Sequence, residues 1–88
     1  MKIKVSFKEG FRKTARVLNK KQRDKLADLI ILLISDPYHP KLHTKSLLGR
    51  LSGVYVFRIT REWRVLFKFI SPTEIILLEV GNRKDIYK

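Results

Sequence analysis

Residues 53–70 read GVYVFRITREWRVLFKFI. Apolar and aromatic side chains recur at every second position on both sides of the charged pair Arg61-Glu62. A period of two is the period of a β-strand, whose side chains point alternately to the two faces of a sheet. The stretch therefore predicts two antiparallel strands joined by a short turn.

The register of these two strands decides which residues share a face. If the aromatic residues lie on one face, odd positions pair with odd positions, and the turn has three or five residues. Arg58, Arg64 and Lys68 then lie together on the opposite face, which we expect to be a cationic sheet face. Like charges ~5–8 Å apart repel each other unless an anion joins them. We interpret Arg58 and Arg64 as a site for a phosphate backbone, whereas Lys68 alone is typical of a solvated surface.

An N-terminal strand and a first helix are predicted upstream. Residues 3–7 alternate apolar with polar side chains at the strand period. Beyond Gly10, the residues Phe11, Ala15 and Leu18 fall at i, i+4 and i+7, which is the spacing of one apolar stripe on a helix. We expect this first helix to run to about Leu18.

A second helix follows, with an excess of apolar surface. Asn19 is a suitable N-cap, and Pro37 marks the end of the helical pattern. Besides its main stripe, the helix carries a second apolar stripe, which consists of Ala27, Ile31 and Ile34. Two interpretations remain open at this point. The helix is wedged between the sheet and the first helix, which is the simpler arrangement, or the second stripe is an exposed patch kept for a protein partner.

The remaining residues supply a loop and a further strand. Residues 36–48 hold prolines, histidines and lysines without sustained periodicity and are predicted to form a loop. Residues 74–80 are apolar on both faces, which is typical of a strand inside a sheet. The predicted order β-α-α-β-β-β gives an α+β fold of one domain, residues 1–88, in which an antiparallel sheet packs its aromatic face against a helical hairpin.

Charge is the unusual feature of the composition. The 88 residues include 20 Lys and Arg against 8 Asp and Glu, for a net charge of +12. This points to a polyanionic partner, with nucleic acid ahead of an anionic membrane or an acidic protein. The longest apolar run, residues 26–35, is about half the ~20 residues that a membrane-spanning helix needs, and the N-terminus is unlike a signal peptide. We expect a cytoplasmic protein without a membrane segment.

Several kinds of chemistry are disfavoured by the residues present. The sequence has no cysteine, which excludes disulfides, thiol catalysis and Cys-containing zinc sites. His39 and His43 are four residues apart, but the neighbouring prolines argue against the helix that would align them on one metal ion. No Gly-rich phosphate loop, nucleophile elbow or acidic dyad is present. We expect neither a metal ion nor a cofactor.

Three segments of the sequence together resemble the RelE/ParE toxin superfamily of bacterial and archaeal toxin–antitoxin modules. They are residues 47–60 (LLGRLSGVYVFRIT), residues 63–67 (WRVLF) and residues 81–87 (GNRKDIY). The resemblance covers nearly the whole chain, because the superfamily shares its small size, basic charge and order of elements. It implies a RelE-like fold and a ribosome-dependent endoribonuclease that enters the A site of the 70S ribosome, cuts messenger RNA and so inhibits translation. A cognate antitoxin protein would keep it silent; the toxin would be monomeric alone and form a hetero-oligomer with the antitoxin.

The resemblance also implies roles for single residues. Arg64 falls on the arginine that stabilises the phosphate in the RelE-like branch, Arg83 on its C-terminal catalytic arginine and Tyr87 on the tyrosine that orients the RNA. Arg58 falls on a cationic strand position. Lys68 and Lys84 are further candidates for contact with RNA, and Ile31 and Ile34 for contact with the antitoxin.

Two positions depart from the pattern. Lys45 falls where relatives place an acidic or histidine catalytic residue, and Asn82 replaces the histidine of a common Gly-His-Arg sequence. Cleavage by the 2′-hydroxyl of the RNA still needs a group that removes its proton, and Lys45 or a ribosomal group is the candidate. Arg58 and Arg64 would hold the transition-state oxygens, and Arg83 would assist the leaving group. This chemistry predicts a 2′,3′-cyclic phosphate product and no divalent-metal requirement.

Two other functions remain open. A ParE-like toxin would poison DNA gyrase, although members of that branch generally lack the catalytic set to which Arg58, Arg64, Arg83 and Tyr87 correspond. A non-catalytic protein could bind RNA or the ribosome through the same face, and the replacement of histidine by Asn82 keeps that alternative open.

Overall fold

A computed structural model describes residues 2–87 of the chain. Two helices and five strands follow one another in the order β1 (Lys4–Phe7), α1 (Glu9–Ala15), α2 (Lys20–Ser35), β2 (Lys45–Ser46), β3 (Tyr55–Arg58), β4 (Trp63–Ser71) and β5 (Glu74–Asn82). Two short 3₁₀ turns, Pro40–Leu42 and Gly49–Leu51, flank β2. The α+β class and the predicted order of the long elements are confirmed. None of the described helices has the length and apolarity needed to cross a membrane.

The five strands form one sheet in the order β1-β5-β4-β3-β2. β5 lies inside the sheet, as its two apolar faces predicted. The prediction of a purely antiparallel sheet was wrong at one edge, because β1 pairs with β5 in parallel. The other pairs, β2–β3, β3–β4 and β4–β5, are antiparallel. A period of two is the same in either direction, so the pattern of residues 3–7 could not reveal how β1 runs.

The predicted loop at residues 36–48 contains regular structure that the sequence analysis missed. Lys45 lies opposite Val56 and Ser46 opposite Tyr55, so β2 is a fifth strand at the sheet edge. Two residues are too few to show a period, which explains the miss. The first helix is also shorter than predicted: it ends at Ala15, and Leu18 is buried in the segment that follows it.

The register between β3 and β4 matches the prediction. Tyr55 lies opposite Phe67, and Arg58 lies directly opposite Arg64, so odd positions pair with odd positions. The connecting turn is held by Thr60, whose hydroxyl accepts hydrogen bonds from the backbone N–H groups of Glu62 and Trp63 at 3.3 and 3.1 Å. This local bonding defines the end of the hairpin.

The main core lies between the helices and the aromatic face of the sheet. The side chains that are fully buried there include Leu33, Leu42, Phe57, Phe67 and Ile75. Helix α2 begins with a capping box, in which Asn19 Oδ1 accepts from Gln22 N and Gln22 Oε1 accepts from Asn19 N. The predicted cap is therefore confirmed, and α2 ends at Ser35 as expected.

The second apolar stripe of α2 is not wedged between other elements. Ile31 is 65% exposed, and Ala27 is exposed as well. Ile34 is half-buried and lines a shallow groove of about 280 Å³ with Lys2, Ile31 and Ser35. The wedge interpretation is therefore wrong, because the sheet covers one side of the helix and leaves the Ile31 side to solvent. We call this feature the Ile31 groove.

Candidate functional site

The sheet face opposite the helices, here the outer face, carries a small apolar cluster of its own. Its buried members are Val56, Leu66 and Ile86, which are 2%, 5% and 6% exposed. Ile86 belongs to the tail, residues 83–87, which folds back over β3 and β4. The register predicted a cationic sheet face, but the part of this face at Val56 and Leu66 is apolar. The sequence contained the information needed to predict this, because Val56 and Leu66 occupy even-numbered positions and therefore lie on the same face as Arg58 and Arg64.

Asn82 and Gly81 shape the turn that brings the tail back. The side-chain oxygen of Asn82 accepts from Lys84 N at 2.9 Å, and its backbone oxygen accepts from Asp85 N and Ile86 N at 3.0 and 2.9 Å. A Cβ atom at Gly81 would lie only 3.1 Å from side-chain atoms of Ile86. Asn82 thus starts the turn, and the glycine makes room for Ile86 against β5.

The tail holds Arg64 in place. Arg64 Nη1 donates a hydrogen bond of 2.9 Å to the hydroxyl of Tyr87, and both side chains are half-buried. The Nε atom of Arg64 is buried without a hydrogen-bond partner in the protein. Since a guanidinium is planar, one bonded nitrogen and one enclosed nitrogen restrict its orientation. The structure therefore fixes Arg64, whereas Arg58 on the neighbouring strand is exposed.

Arg58 and Arg64 form a pair of neighbouring cations. They lie directly opposite each other across β3 and β4, where Cβ atoms are typically ~4.5–5.5 Å apart. The ion pairs described for residues 2–87 join Lys13 to Glu9, Lys20 to Asp24 and Arg83 to Glu62, so neither arginine of this pair is neutralised in that way. Two adjacent guanidinium groups can donate to the oxygens of one phosphate.

Arg83 lies at the same end of the sheet, beside the β3–β4 turn. Its backbone N–H donates to the carbonyl of Glu62 at 2.8 Å, and its Nε lies 4.0 Å from Glu62 Oε2. Both side chains are about half exposed, at 45% and 50%. From the sequence, Glu62 was predicted only as part of the turn. Glu62 is an acidic residue among cations in the sequence, and this was the one feature that could have indicated a contact with an arginine.

The three lysines of the predicted site lie farther apart. Lys45 is exposed on the edge strand β2, opposite Val56. Lys68 shares the face of Arg64, as predicted, but it is four residues away along β4, which is ~13 Å at the rise of a strand. The predicted separation of ~5–8 Å was therefore wrong for Lys68. Lys84 is exposed in the tail. The structure thus brings together Arg58, Arg64 and Tyr87. Arg83 lies beside Glu62, two residues before Arg64 on the chain, and Lys45 lies on the adjoining strand.

The histidines have no common role. His39 Nδ1 accepts a hydrogen bond of 3.1 Å from the backbone N–H of Lys41, which places it in the 3₁₀ turn. Within residues 2–87 no group of three or more His, Asp or Glu side chains is arranged to hold a metal ion.

Solved structures provide the comparison for this arrangement. YafQ from E. coli strain BL21(DE3) superposes with a TM-score of 0.80 at 17% identity, over 98% of this chain and 99% of that one. The archaeal RelE–RelB complex from Pyrococcus horikoshii OT3 gives 0.78 at 20% identity, over 97% and 99%. The toxin–antitoxin complex RelBE2 from Mycobacterium tuberculosis gives 0.78 at 20%, over 94% and 100%. This chain has the fold of the RelE-like toxins.

The RelE-like fold agrees with the resemblance seen in the sequence. No protein-family model matches the chain, and no curated protein matches it by sequence. At identities of 17–20% the three superpositions establish a common RelE-like architecture over nearly the full length of each chain. What the chain does within that architecture depends on its own residues.

Proposed function

We propose that this protein is the toxin of a type II toxin–antitoxin module and cleaves messenger RNA in the ribosomal A site. One observation supports this proposal above the others. Within a RelE-like fold, the register of β3 and β4 places Arg64 opposite Arg58, Tyr87 of the tail holds Arg64 by a hydrogen bond, and neither arginine takes part in the ion pairs described for residues 2–87. A phosphodiester is the ligand in RNA that such a pair fits best.

The proposed reaction is an attack by the 2′-hydroxyl of the RNA on the adjacent phosphorus. The new P–O2′ bond forms as the P–O5′ bond breaks, which leaves a 2′,3′-cyclic phosphate and a 5′-oxygen that takes a proton from water to become a 5′-hydroxyl. Negative charge builds up on the non-bridging oxygens in the transition state. Arg58 and Arg64 would donate to those oxygens. Tyr87, whose oxygen already accepts from Arg64, keeps its own hydrogen for donation to the RNA.

Arg83 is proposed to stabilise the leaving 5′-oxygen. In the free protein its side chain lies beside Glu62, and it must turn from that carboxylate to the RNA. An exposed ion pair contributes only ~0–1 kcal/mol, so this exchange costs little. Lys45, at the edge of the same face, is proposed as the group that removes the 2′-proton, with a ribosomal group as the alternative. Lys68 and Lys84 are proposed to contact more distant parts of the RNA. No step in this sequence uses a metal ion or a cofactor.

The test combines purified ribosomes, a messenger RNA and the protein, with cuts mapped by primer extension. We expect codon-phased cuts that Arg64→Ala and Arg83→Ala abolish, while Arg12→Ala, an exposed arginine on α1, cuts like the unaltered protein. The new 3′ ends should carry a cyclic phosphate; a free 3′-hydroxyl would contradict the proposed attack. Ribosome binding without cuts would favour a non-catalytic protein, and gyrase-dependent DNA breaks would favour a ParE-like toxin.

We further propose that the antitoxin covers the Ile31 groove. Ile31 is a large apolar side chain exposed on a strongly basic protein, with Lys2 beside it. An acidic, amphipathic antitoxin segment would bury the isoleucine and place its carboxylates near the surrounding cations. We expect a hetero-oligomer with the antitoxin and a monomeric toxin without it.

The Ile31 groove is tested with the cognate antitoxin. Ile31→Asp should weaken antitoxin binding at least ~10-fold, because it removes an apolar contact and adds a repelling charge. Val17→Asp is the matched control, since Val17 is 60% exposed elsewhere on the surface. Equal affinities of the two variants, with circular dichroism showing both folded, would place the antitoxin elsewhere.

A further inference from the structure

A second concentration of positive charge lies away from the Arg58–Arg64 pair, at the junction of three elements. Helix α2, the 3₁₀ turn Pro40–Leu42 and the β3–β4 turn border an open pocket of about 150 Å³. The titratable side chains that line it are all basic: Lys25, Lys41, His43, Arg58 and Arg61. We call this cavity the basic pocket. Of its residues, only Arg58 also belongs to the site described above.

Three residues of the basic pocket are next to buried core residues in the sequence. Lys25 precedes Leu26, Lys41 precedes Leu42, and Ile59 follows Arg58, and these three apolar residues are 5%, 0% and 1% exposed. All three belong to the main core. A side chain next to a buried neighbour has its backbone position fixed by that neighbour's packing. The backbone of Lys25, Lys41 and Arg58 is therefore held by the core, whereas Arg61 lies in the β3–β4 turn.

Local hydrogen bonds fix the 3₁₀ turn that carries two of these side chains. The backbone N–H of Lys41 donates to His39 Nδ1 at 3.1 Å, and that of His43 donates to the carbonyl of Pro40 at 3.2 Å. His43 has left-handed backbone angles of φ 52° and ψ 41°. That conformation is uncommon for a residue other than glycine and reverses the chain here. It places Lys41 and His43 on either side of the buried Leu42.

Charge gives the pocket its expected ligand. Neither Asp nor Glu lines it, and the carboxylates in the described ion pairs, Glu9, Asp24 and Glu62, bond to residues outside it. The four Lys and Arg side chains in this concave site repel each other, and the repulsion is relieved when an anion enters. A cavity of 150 Å³ is smaller than the ~300–1,000 Å³ typical of whole-ligand pockets. It fits a single phosphate better than a complete nucleotide.

We infer that the basic pocket binds a second phosphate of the RNA strand, next to the one held by Arg58 and Arg64. Arg58 lines the pocket and also lies opposite Arg64, so it connects the two positions. Two phosphate contacts would both bind the RNA and fix its direction across the outer face of the sheet. The identity of the ligand as RNA rests on the proposed function; the pocket itself rests on its geometry and charge.

The first test measures binding without cleavage. A single-stranded RNA with 2′-deoxy substitutions cannot react, and fluorescence anisotropy gives its affinity as a function of salt. Lys41→Ala should bind about three- to ten-fold more weakly, and the slope of log K against log salt should fall by about 0.7, the value for one phosphate contact on a single strand. Lys4→Ala removes the same charge from β1, at the opposite edge of the sheet, and should bind within about two-fold of the unaltered protein.

The second test identifies the phosphate. Each phosphate of the same RNA is replaced in turn by an uncharged methylphosphonate. At one position, next to the cleaved one, the replacement should weaken binding to the unaltered protein but not to Lys41→Ala, because the two changes remove the same contact. Lys25→Ala should lose sensitivity at that same position. Lys41 is exposed, and its alanine variant keeps the backbone bond to His39, so folding is preserved.

The outcomes separate this inference from the proposed function. If Lys41→Ala and Lys4→Ala bind RNA equally well, the inference is overturned. It is also overturned if Lys41→Ala weakens only the binding of an acidic antitoxin, which would make the pocket a protein-binding site. A protein that fails to cut messenger RNA on ribosomes but shows the Lys41-dependent phosphate effect would refute the proposed cleavage and support the pocket.

Discussion

Arg64 Nη1 donates a hydrogen bond of 2.9 Å to the hydroxyl of Tyr87, a residue 23 positions away in the sequence. The bond joins strand β4 to the tail. The tail is also held by the packing of Ile86 against Val56 and Leu66. The orientation of the half-buried arginine therefore depends on the docking of the tail. Changes in the tail should affect activity more than stability.

Replacing Tyr87 with phenylalanine tests this dependence directly. The ring can still pack beside the outer-face cluster, but Arg64 loses its hydrogen-bond acceptor. We expect cleavage on ribosomes to fall ~10–100-fold, while the free energy of unfolding falls by only about 1–2 kcal/mol. Tyr38→Phe is the control, because Tyr38 is 60% exposed and stacks on Phe69 instead. Unchanged cleavage by Tyr87→Phe would show that the hydroxyl has no part in the site.

Gly81 should also affect how the tail packs, because it lies against Ile86. In Gly81→Ala the new methyl group would lie 3.1 Å from side-chain atoms of Ile86, so the isoleucine must give way by a few tenths of an ångström. Such overpacking costs about 1–3 kcal/mol. Thermal unfolding should show this loss of stability. The loss caused by Gly81→Ala should be smaller in an Ile86→Ala background, where the obstructing atoms are absent. Additive losses in the double variant would mean that the two residues do not interact.

The parts of the fold that the sequence predicted correctly are those with a long, regular pattern. The predicted register, in which odd-numbered positions pair with odd-numbered positions, agrees with the pairs Tyr55–Phe67 and Arg58–Arg64. A shift by one residue would have turned the aromatic side chains of one strand away from the helices. β2 was missed because Lys45 and Ser46 are too few to show a period. The direction of β1 was missed because alternation is the same in parallel and antiparallel strands.

The candidate site was predictable only in part, for a related reason. The register placed Arg58 opposite Arg64, but it gave no information about the tail. The contact between Arg64 and Tyr87 depends on a chain reversal that begins at Asn82, and an Asx turn of this kind has no periodic signal. Lys68 was placed too near for a simpler reason: it shares the face of Arg64, but Leu66 lies between them along β4.

The capping box at the start of α2 should contribute measurably to stability. Asn19→Ala removes the acceptor for Gln22 N and leaves that donor at the helix start without its partner. We expect the free energy of unfolding to fall by about 1 kcal/mol, within a range of about 0.5–2. Urea titration followed by circular dichroism measures the change. Asn19→Asp keeps an acceptor at the same place and should lose much less; if both variants lose equally, the cap is not the cause.

Glu62 lies beside Arg83 and should compete with the RNA for that arginine. Glu62→Gln removes the carboxylate, while the backbone bond from Arg83 N to the carbonyl of residue 62 remains. Because the pair is half exposed, the free energy of unfolding should change by less than about 1 kcal/mol. The affinity for uncleavable RNA should rise about two- to three-fold, since one negative charge beside the phosphate is lost and Arg83 is free to bind it. Anisotropy titrations at two salt concentrations measure this gain, which should shrink at the higher one. A variant that binds RNA normally but no longer cuts it would contradict this competition and assign Glu62 to proton transfer in the reaction itself.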